Sequence, residues 1–484
     1  MSDAAATSRP HRAMGLRDLV LFYVVTGISL RWIATAATLG ASAVVVWLIA
    51  WCAFYLPLAL SVMELSSRYP QEGGLYVWSK RAFGEFPGFL TGWTYWASNL
   101  PYYPAVLYFA ASNALYIGPS RWQALANSKT YFVVFALLGL ALGTFLNVIG
   151  LSVAKWLHNV GAIGTWLPIA ILIGIAAVAL HRFGSATHFT TASLMPRTHF
   201  RDILFWATIV FALGGSESAS FLGDEVHDAR KNLPRGLLAG GVLVTVGYIV
   251  GTIAVLVALP PGQVNGLQGI MEAISNSAAR IGLERIGAMG IVPLAALLIT
   301  VSNLGALGAW LAVSARLPFV AGLDRYLPSA FARIHPRWGT PYVALLAQAA
   351  LGVVFILLGQ AGTSVYGAYE VLVSMGIISY FIPYLFVFAS LVRLQREPAA
   401  KGVIRIPGGR RAAVAIGALG FATTLVTIAC SLIPAADEPH PWLAVLKIVG
   451  LTAVLILLGV VTFRWGKAHA AREDAQRAGA ISGA

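Results

Sequence analysis

TGISLRW, residues 26–32, interrupts the first long apolar segment of the chain, and its reading decides the fold. Where Leu, Ile, Val and Ala dominate, it places a glycine, two hydroxyls and the full charge of Arg31. Arg17 marks the start of that segment, and the fourteen residues from it to Arg31 span roughly 21 Å of helix. That depth exceeds what a side chain crosses by snorkelling to either surface. Arg31 must therefore face protein, water or a ligand.

The surrounding composition explains why the charge matters. Of 484 residues, 58% are hydrophobic and 11% charged, against roughly 25% charged in an average soluble domain. Apolar runs of eighteen or more residues recur from Leu16 to Phe463, and about 20 such residues cross ~30 Å of hydrocarbon as a helix. Twelve spans are predicted, at 16–38, 41–67, 86–117, 131–149, 152–180, 202–227, 235–259, 287–315, 341–359, 365–393, 412–433 and 441–464. The period-2 alternation of an outer-membrane barrel is absent, so the expected class is an all-α integral membrane protein.

Residues 1–15 lack the apolar core of a signal peptide and read, like the polar residues 465–484, as a tail. The formal charge of +14 sits mostly in short connections between spans. It reads as topology, not as a nucleic-acid surface. With the N-terminus inside, 24 of the 33 basic residues fall on the inner side, which predicts both termini in the cytoplasm of a cell whose inner membrane holds the chain. Cys52 and Cys430 both lie in apolar spans, where they read as small core residues. Two polar pieces do not span: residues 262–285 read as an outer-surface helix able to act as a lid, and residues 66–86 as its counterpart inside.

Transporters built from inverted repeats break one helix at the same position in each half, and the breaks form the substrate site near the midplane. Counting five spans per repeat, the first and sixth correspond. The sixth carries GGSES at 214–218. Glycine tolerates non-helical dihedrals and weakens a helix by roughly 1 kcal/mol relative to Ala. For most of the 49 glycines close helix packing suffices as a reason. Here an ionisable residue accompanies each break, Arg31 and Glu217, and such a charge costs at least ~2.5 kcal/mol at that depth.

The run GGSESASFLGDEVHDARKNLPRG, residues 214–236, resembles the sixth-helix signature of the amino acid, polyamine and organocation permeases. SARLPFVAGLDRYLPSAFARIHPRWGTP at 314–341 and EGGLYVWSKRAFGEFPGFLTGWTYW at 72–96 are similar to two further segments of that family. The resemblance implies a LeuT-like fold of twelve transmembrane helices. Residues 16–180 and 202–393 would be five-span inverted repeats and residues 412–464 two added helices. It implies a secondary transporter of amino acids or related amines working by alternating access. LGALGAW at 304–310 and GSESAS at 215–220 look most like the arginine/agmatine exchanger branch, which would make Trp310 and Phe211 aromatic walls. Two departures stand out. The family's first break is a run of small residues without an arginine, and Thr165 occupies the place where several proton-coupled members carry a lysine.

An amino acid presents a carboxylate and an ammonium. Backbone N–H groups around Gly27 to Leu30, with the positive end of the resuming helix, suit the carboxylate, so Thr26, Gly27, Ile28 and Ser29 are substrate-binding candidates. Carbonyls near Gly214 and Gly215 suit the ammonium, and Ser216 and Glu217 beside them are further substrate-binding candidates. Arg31 is left with three roles: binding a second anionic group, pairing with Glu217, or standing in for a coupling cation. Tyr103, in SNLPYYP with Asn99 and Tyr102, is a cavity-lining candidate. Thr165, Ser302 and Asn303 are candidates for a coupling-ion site, the ion being H+ or Na+. The expected partners are a small-molecule substrate and membrane lipid, with no metal and no cofactor. No HExxH, GxSxG or Cys-rich spacing suggests an enzyme. The competing readings are a polyamine or organocation transporter of the same fold, and an amino-acid sensor that does not transport.

Overall fold

The computed structural model describes residues 15–69, 73–149, 151–196, 200–215, 217, 228–283, 290–320, 323–398, 402–434 and 440–482. All regular structure among them is helical. The expected first span is two helices, α1 (Leu16–Gly27) and α2 (Leu30–Ala37), separated by Ile28 and Ser29. A Cβ on Gly27 would stand 2.9 Å from Val244 Cγ2, so close packing demands glycine at the end of α1.

The second span runs unbroken through α3 (Ser42–Ala50), one π-helical turn (Trp51–Tyr55) and α4 (Leu56–Arg68). Pro57 has no N–H to give to the carbonyl of Ala53, and the Thr423 hydroxyl supplies the missing donor at 3.0 Å. After α5 (Gly74–Phe83), the third span divides into α6 (Glu85–Ala97) and α7 (Asn99–Ala114). Pro101 removes the donor that would have reached Ala97. The Asn99 amide caps α6 by donating to the carbonyls of Tyr95 and Trp96.

The chain continues through α8 (Lys129–Ile149), α9 (Leu151–Phe183), the single turn α10 (Thr191–Leu194) and α11 (Phe200–Ala212). Next come α12 (Ala229–Ala258), α13 (Gly269–Arg280) and α14 (Ile291–Val320). It closes with α15 (Tyr342–Gln360), α16 (Val365–Leu394), α17 (Gly409–Cys430) and α18 (Pro441–Ser482). Among the described residues nine helices are long and apolar enough to cross a membrane. The expected first, third and sixth spans fall outside that set because each is interrupted, so that no helical piece of them exceeds 16 residues.

α16 is the central post: 78% of its apolar window is buried, against 28% in α17 and in α18. The outward Leu and Val of the peripheral helices face the lipid that a membrane supplies. Two expectations change here. Cys52 is exposed on the outside of the bundle and is no core residue, because the π-turn presents it outward. The polar residues after 464 continue α18 as helix to Ser482.

Polar side chains tie the periphery together. Lys447 of α18 caps the C-terminal end of α15, donating to the Gly359 carbonyl at 2.8 Å and to the Ala361 carbonyl, where the helix dipole favours a cation. At the foot of α4, the buried Glu64 accepts from Arg68 Nη2 at 2.7 Å, Gln395 at 2.7 Å and the Ile406 N–H at 2.9 Å. This anchors the α16–α17 connection against the second span.

Candidate functional site

The first break is held by a residue the sequence did not single out. The Tyr248 hydroxyl of α12 donates to the Gly27 carbonyl at 2.6 Å and accepts from the Ser29 N–H at 3.2 Å. One side chain thus satisfies a carbonyl and an amide on the two sides of the interruption. Its ring stacks on Trp47 at 4.4 Å, and Trp47 Nε1 donates to Thr252, which in turn donates to the Tyr248 carbonyl. The available sequence signal was the polar pair Tyr248 and Thr252, four residues apart on one face of an apolar span.

Arg31 lies in the first turn of α2 and is only 4% exposed. Its guanidinium carbon sits 4.0 Å from the Trp32 ring centroid and 5.2 Å from that of Tyr102. Nε is buried with no hydrogen-bond partner, and no ion pair among the described residues includes Arg31. Contact with a desolvated ring is worth about 2 kcal/mol, less than the several kcal/mol a cation loses on leaving water.

At the second break α11 ends at Ala212 and the backbone leaves the helix, with Gly215 in the left-handed region at φ +103°. Glycine is needed there on conformational grounds, and at Gly214 on steric ones, since a Cβ would come within 2.9 Å of Tyr380. Glu217 is 0% exposed. Oε1 accepts from the hydroxyls of Tyr95 at 3.0 Å and Tyr380 at 2.6 Å. Oε2 accepts from the Tyr384 hydroxyl at 2.7 Å and the Gly215 N–H at 3.1 Å. Each oxygen therefore carries two donors, and Glu217 closes its own loop through the Gly215 amide. Tyr380 and Tyr384, four residues apart on α16, share a face legible in SYFIPY, residues 379–384.

A row of rings joins the two breaks. Trp32 meets Phe211 edge-on at 5.3 Å, Phe211 meets Tyr380 edge-on at 5.4 Å, and Tyr380 stacks on Tyr95 at 5.4 Å. Trp310 of α14 meets Tyr102 at 6.0 Å, so both aromatic candidates lie one ring away from a charge. Tyr103 is placed differently. Its hydroxyl lies 2.5 Å from Ser314 and 3.3 Å from Gln348, and it is Tyr102 that reaches Arg31. Ile28 is buried against Gly247, the Thr26 backbone lies in the last turn of α1, and the Thr26 side chain and Ser216 fall outside the described residues.

Of the coupling-ion candidates, Thr165 Oγ1 and Ser302 Oγ are 2.7 Å apart, where α9 and α14 approach closely at Gly164. The Asn303 amide turns back to the Ile299 carbonyl of its own helix at 2.7 Å. No His, Cys, Asp or Glu group among the described residues has the makings of a metal site.

The arrangement can hold opposite charges at two helix breaks with aromatic surface between them, which is chemistry for binding a small polar molecule. Comparison with known proteins agrees. An uncharacterized transporter of Legionella pneumophila is 28% identical over 464 residues, 93% of this chain and 95% of its own length. The serine/threonine exchanger SteT of Bacillus subtilis is 26% identical over 382 residues, 77% of this chain and 81% of its own. The probable agmatine/putrescine antiporter AguD of Lactococcus lactis is 26% identical over 240 residues, half of each chain. The family described as amino acid permease matches residues 15–455, and the chain, a multi-pass membrane protein, belongs to it and to the amino acid, polyamine and organocation superfamily that its motifs resemble.

Proposed function

We propose that the chain is a secondary transporter of amino acids or related amines, working by alternating access around the two breaks. In this reading residues 16–180 and 202–393 are five-span inverted repeats and residues 412–464 two added helices, giving twelve spans with both termini in the cytoplasm. The observation that carries it is the pairing of two interrupted helices, each with a buried charge of opposite sign, bridged by Trp32, Phe211 and Tyr380.

The chemistry follows from that pairing. A zwitterion placed between the breaks meets positive potential on the α2 side and negative potential on the α11 side, so the breaks orient it. The aromatic row supplies apolar contact and excludes water, which strengthens both interactions. Rocking of the first repeat against the second would expose the same site to either face in turn. Thr165 and Ser302, already in contact, are the groups we assign to coupling-ion binding, with H+ or Na+ as the ion. Catalytic chemistry has no part in this reading.

The test is exchange in proteoliposomes. Vesicles loaded with a mixture of unlabelled amino acids should accumulate a radiolabelled one faster than empty vesicles, and Glu217→Gln should abolish the difference. Ligand-induced stabilisation of the purified protein without any flux would instead establish the non-transporting sensor.

A further inference from the structure

We infer that Arg31 receives a carboxylate of the transported molecule, so that substrates must carry one and amines lacking it are excluded. The inference rests on the transport reading above and narrows its substrate class. A buried guanidinium needs an anion, and none of the described residues supplies one. Glu217, at the other break, is spoken for, since its two oxygens hold three tyrosine hydroxyls and the Gly215 N–H. The ring faces of Trp32 and Tyr102 position the cation without neutralising it, and in a residue only 4% exposed Nε is buried with no acceptor.

The first break itself points the same way. A broken helix offers backbone donors to an anion, but here the Ser29 N–H is engaged by the Tyr248 hydroxyl, which also locks the Gly27 carbonyl. Two residues further on, the Arg31 side chain provides a donor fork that matches carboxylate geometry. A carboxylate docked there neutralises the cation and fills its empty donors. A diamine docked there brings a second positive charge against the first. Tyr102 and Trp310, in edge contact at 6.0 Å, flank that position from α7 and α14.

The experiment measures competition by L-alanine and ethylamine, L-ornithine and putrescine, and L-glutamate and L-glutamine against a radiolabelled amino acid in proteoliposomes of the full chain. In the wild type each amino acid should compete at concentrations roughly 10- to 100-fold below those of its amine. In Arg31→Gln that ratio should collapse towards one. In Arg31→Lys, which keeps the charge and loses the fork, it should fall partway. Parity of glutamate and glutamine identifies the α-carboxylate as the group received. A preference for glutamate that is lost in Arg31→Gln identifies the side-chain carboxylate.

Equal competition by amines and amino acids in the wild type overturns the inference and leaves the transport reading standing. So does a ratio that survives in both Arg31 variants. Failure of every compound to compete, with no uptake of any amino acid, removes the transport reading and the inference with it.

Discussion

The two breaks carry one buried charge each and treat it in opposite ways. Glu217 at the second has, among the described residues, four donors on its two oxygens. Arg31 at the first has ring faces on which to rest and no acceptor among the described residues. A charge satisfied internally is part of the scaffold, and one left unsatisfied stores free energy that a ligand can release. The backbones differ too. The first break is clamped from outside by Tyr248, and the second by its own glutamate through the Gly215 amide.

The comparison breaks most sharply at Glu217. Glu217→Ala removes the shared acceptor of three tyrosine hydroxyls, while the Gly215 N–H keeps the Tyr384 hydroxyl at 3.0 Å; it should cost about 1–3 kcal/mol for each hydroxyl left without a partner, with complete loss of uptake. Thermal unfolding of the purified variant checks this, and an unchanged Tm would mean that the cage is not part of the scaffold. Arg31→Met should show the reverse pattern. Removing an uncompensated buried cation relieves its desolvation, so the Tm should hold or rise while uptake of the amino acid weakens without vanishing. A fall in Tm comparable to that of Glu217→Ala would erase the distinction between the two breaks.

Smaller effects sharpen it. Tyr248→Phe removes two hydrogen bonds and keeps the Trp47 stack, which predicts a loss of about 1–2 kcal/mol and reduced uptake, read by unfolding and by initial rates. The smallest effect lies away from both breaks. Hydrogen bonds from Arg81 first, then from Tyr69, hold the Glu397 carboxylate below its ordinary value of 4.5. A depressed carboxylate contributes stability that is present above the ordinary value and is lost as pH falls through the lowered one. At this exposed position the contribution is below about 1 kcal/mol. Glu397→Gln should therefore lower the Tm slightly at pH 7 and flatten its decline below pH 4.5.

Much of this frame was legible in the residues. TGISLRW and GGSES marked both interruptions, because glycine and a charge in an apolar run have few structural explanations. Helix ends at α15 and α16 follow the apolar runs to within a residue or so, since hydropathy dictates them. The glutamate cage was not legible. A tyrosine in an apolar span has packing as its ordinary role, and only the fold brings Tyr95, Tyr380 and Tyr384 from two distant helices onto one carboxylate. Tyr103 illustrates the same limit, since adjacent tyrosines on a helix point about 100° apart and only Tyr102 reaches Arg31. The helix beyond residue 464 was readable from propensity: AHAAREDAQRA, residues 468–478, is rich in good helix formers, and its polarity drew attention instead.

In this transporter reading the molecule moved by the chain sits between the two breaks. A cryo-electron microscopy map of the purified protein with a competing amino acid, compared with a map without it, tests this directly. Added density bounded by Arg31, Trp32, Phe211 and Gly215 is expected. Density elsewhere in the bundle, with the space between the breaks unchanged, would contradict it.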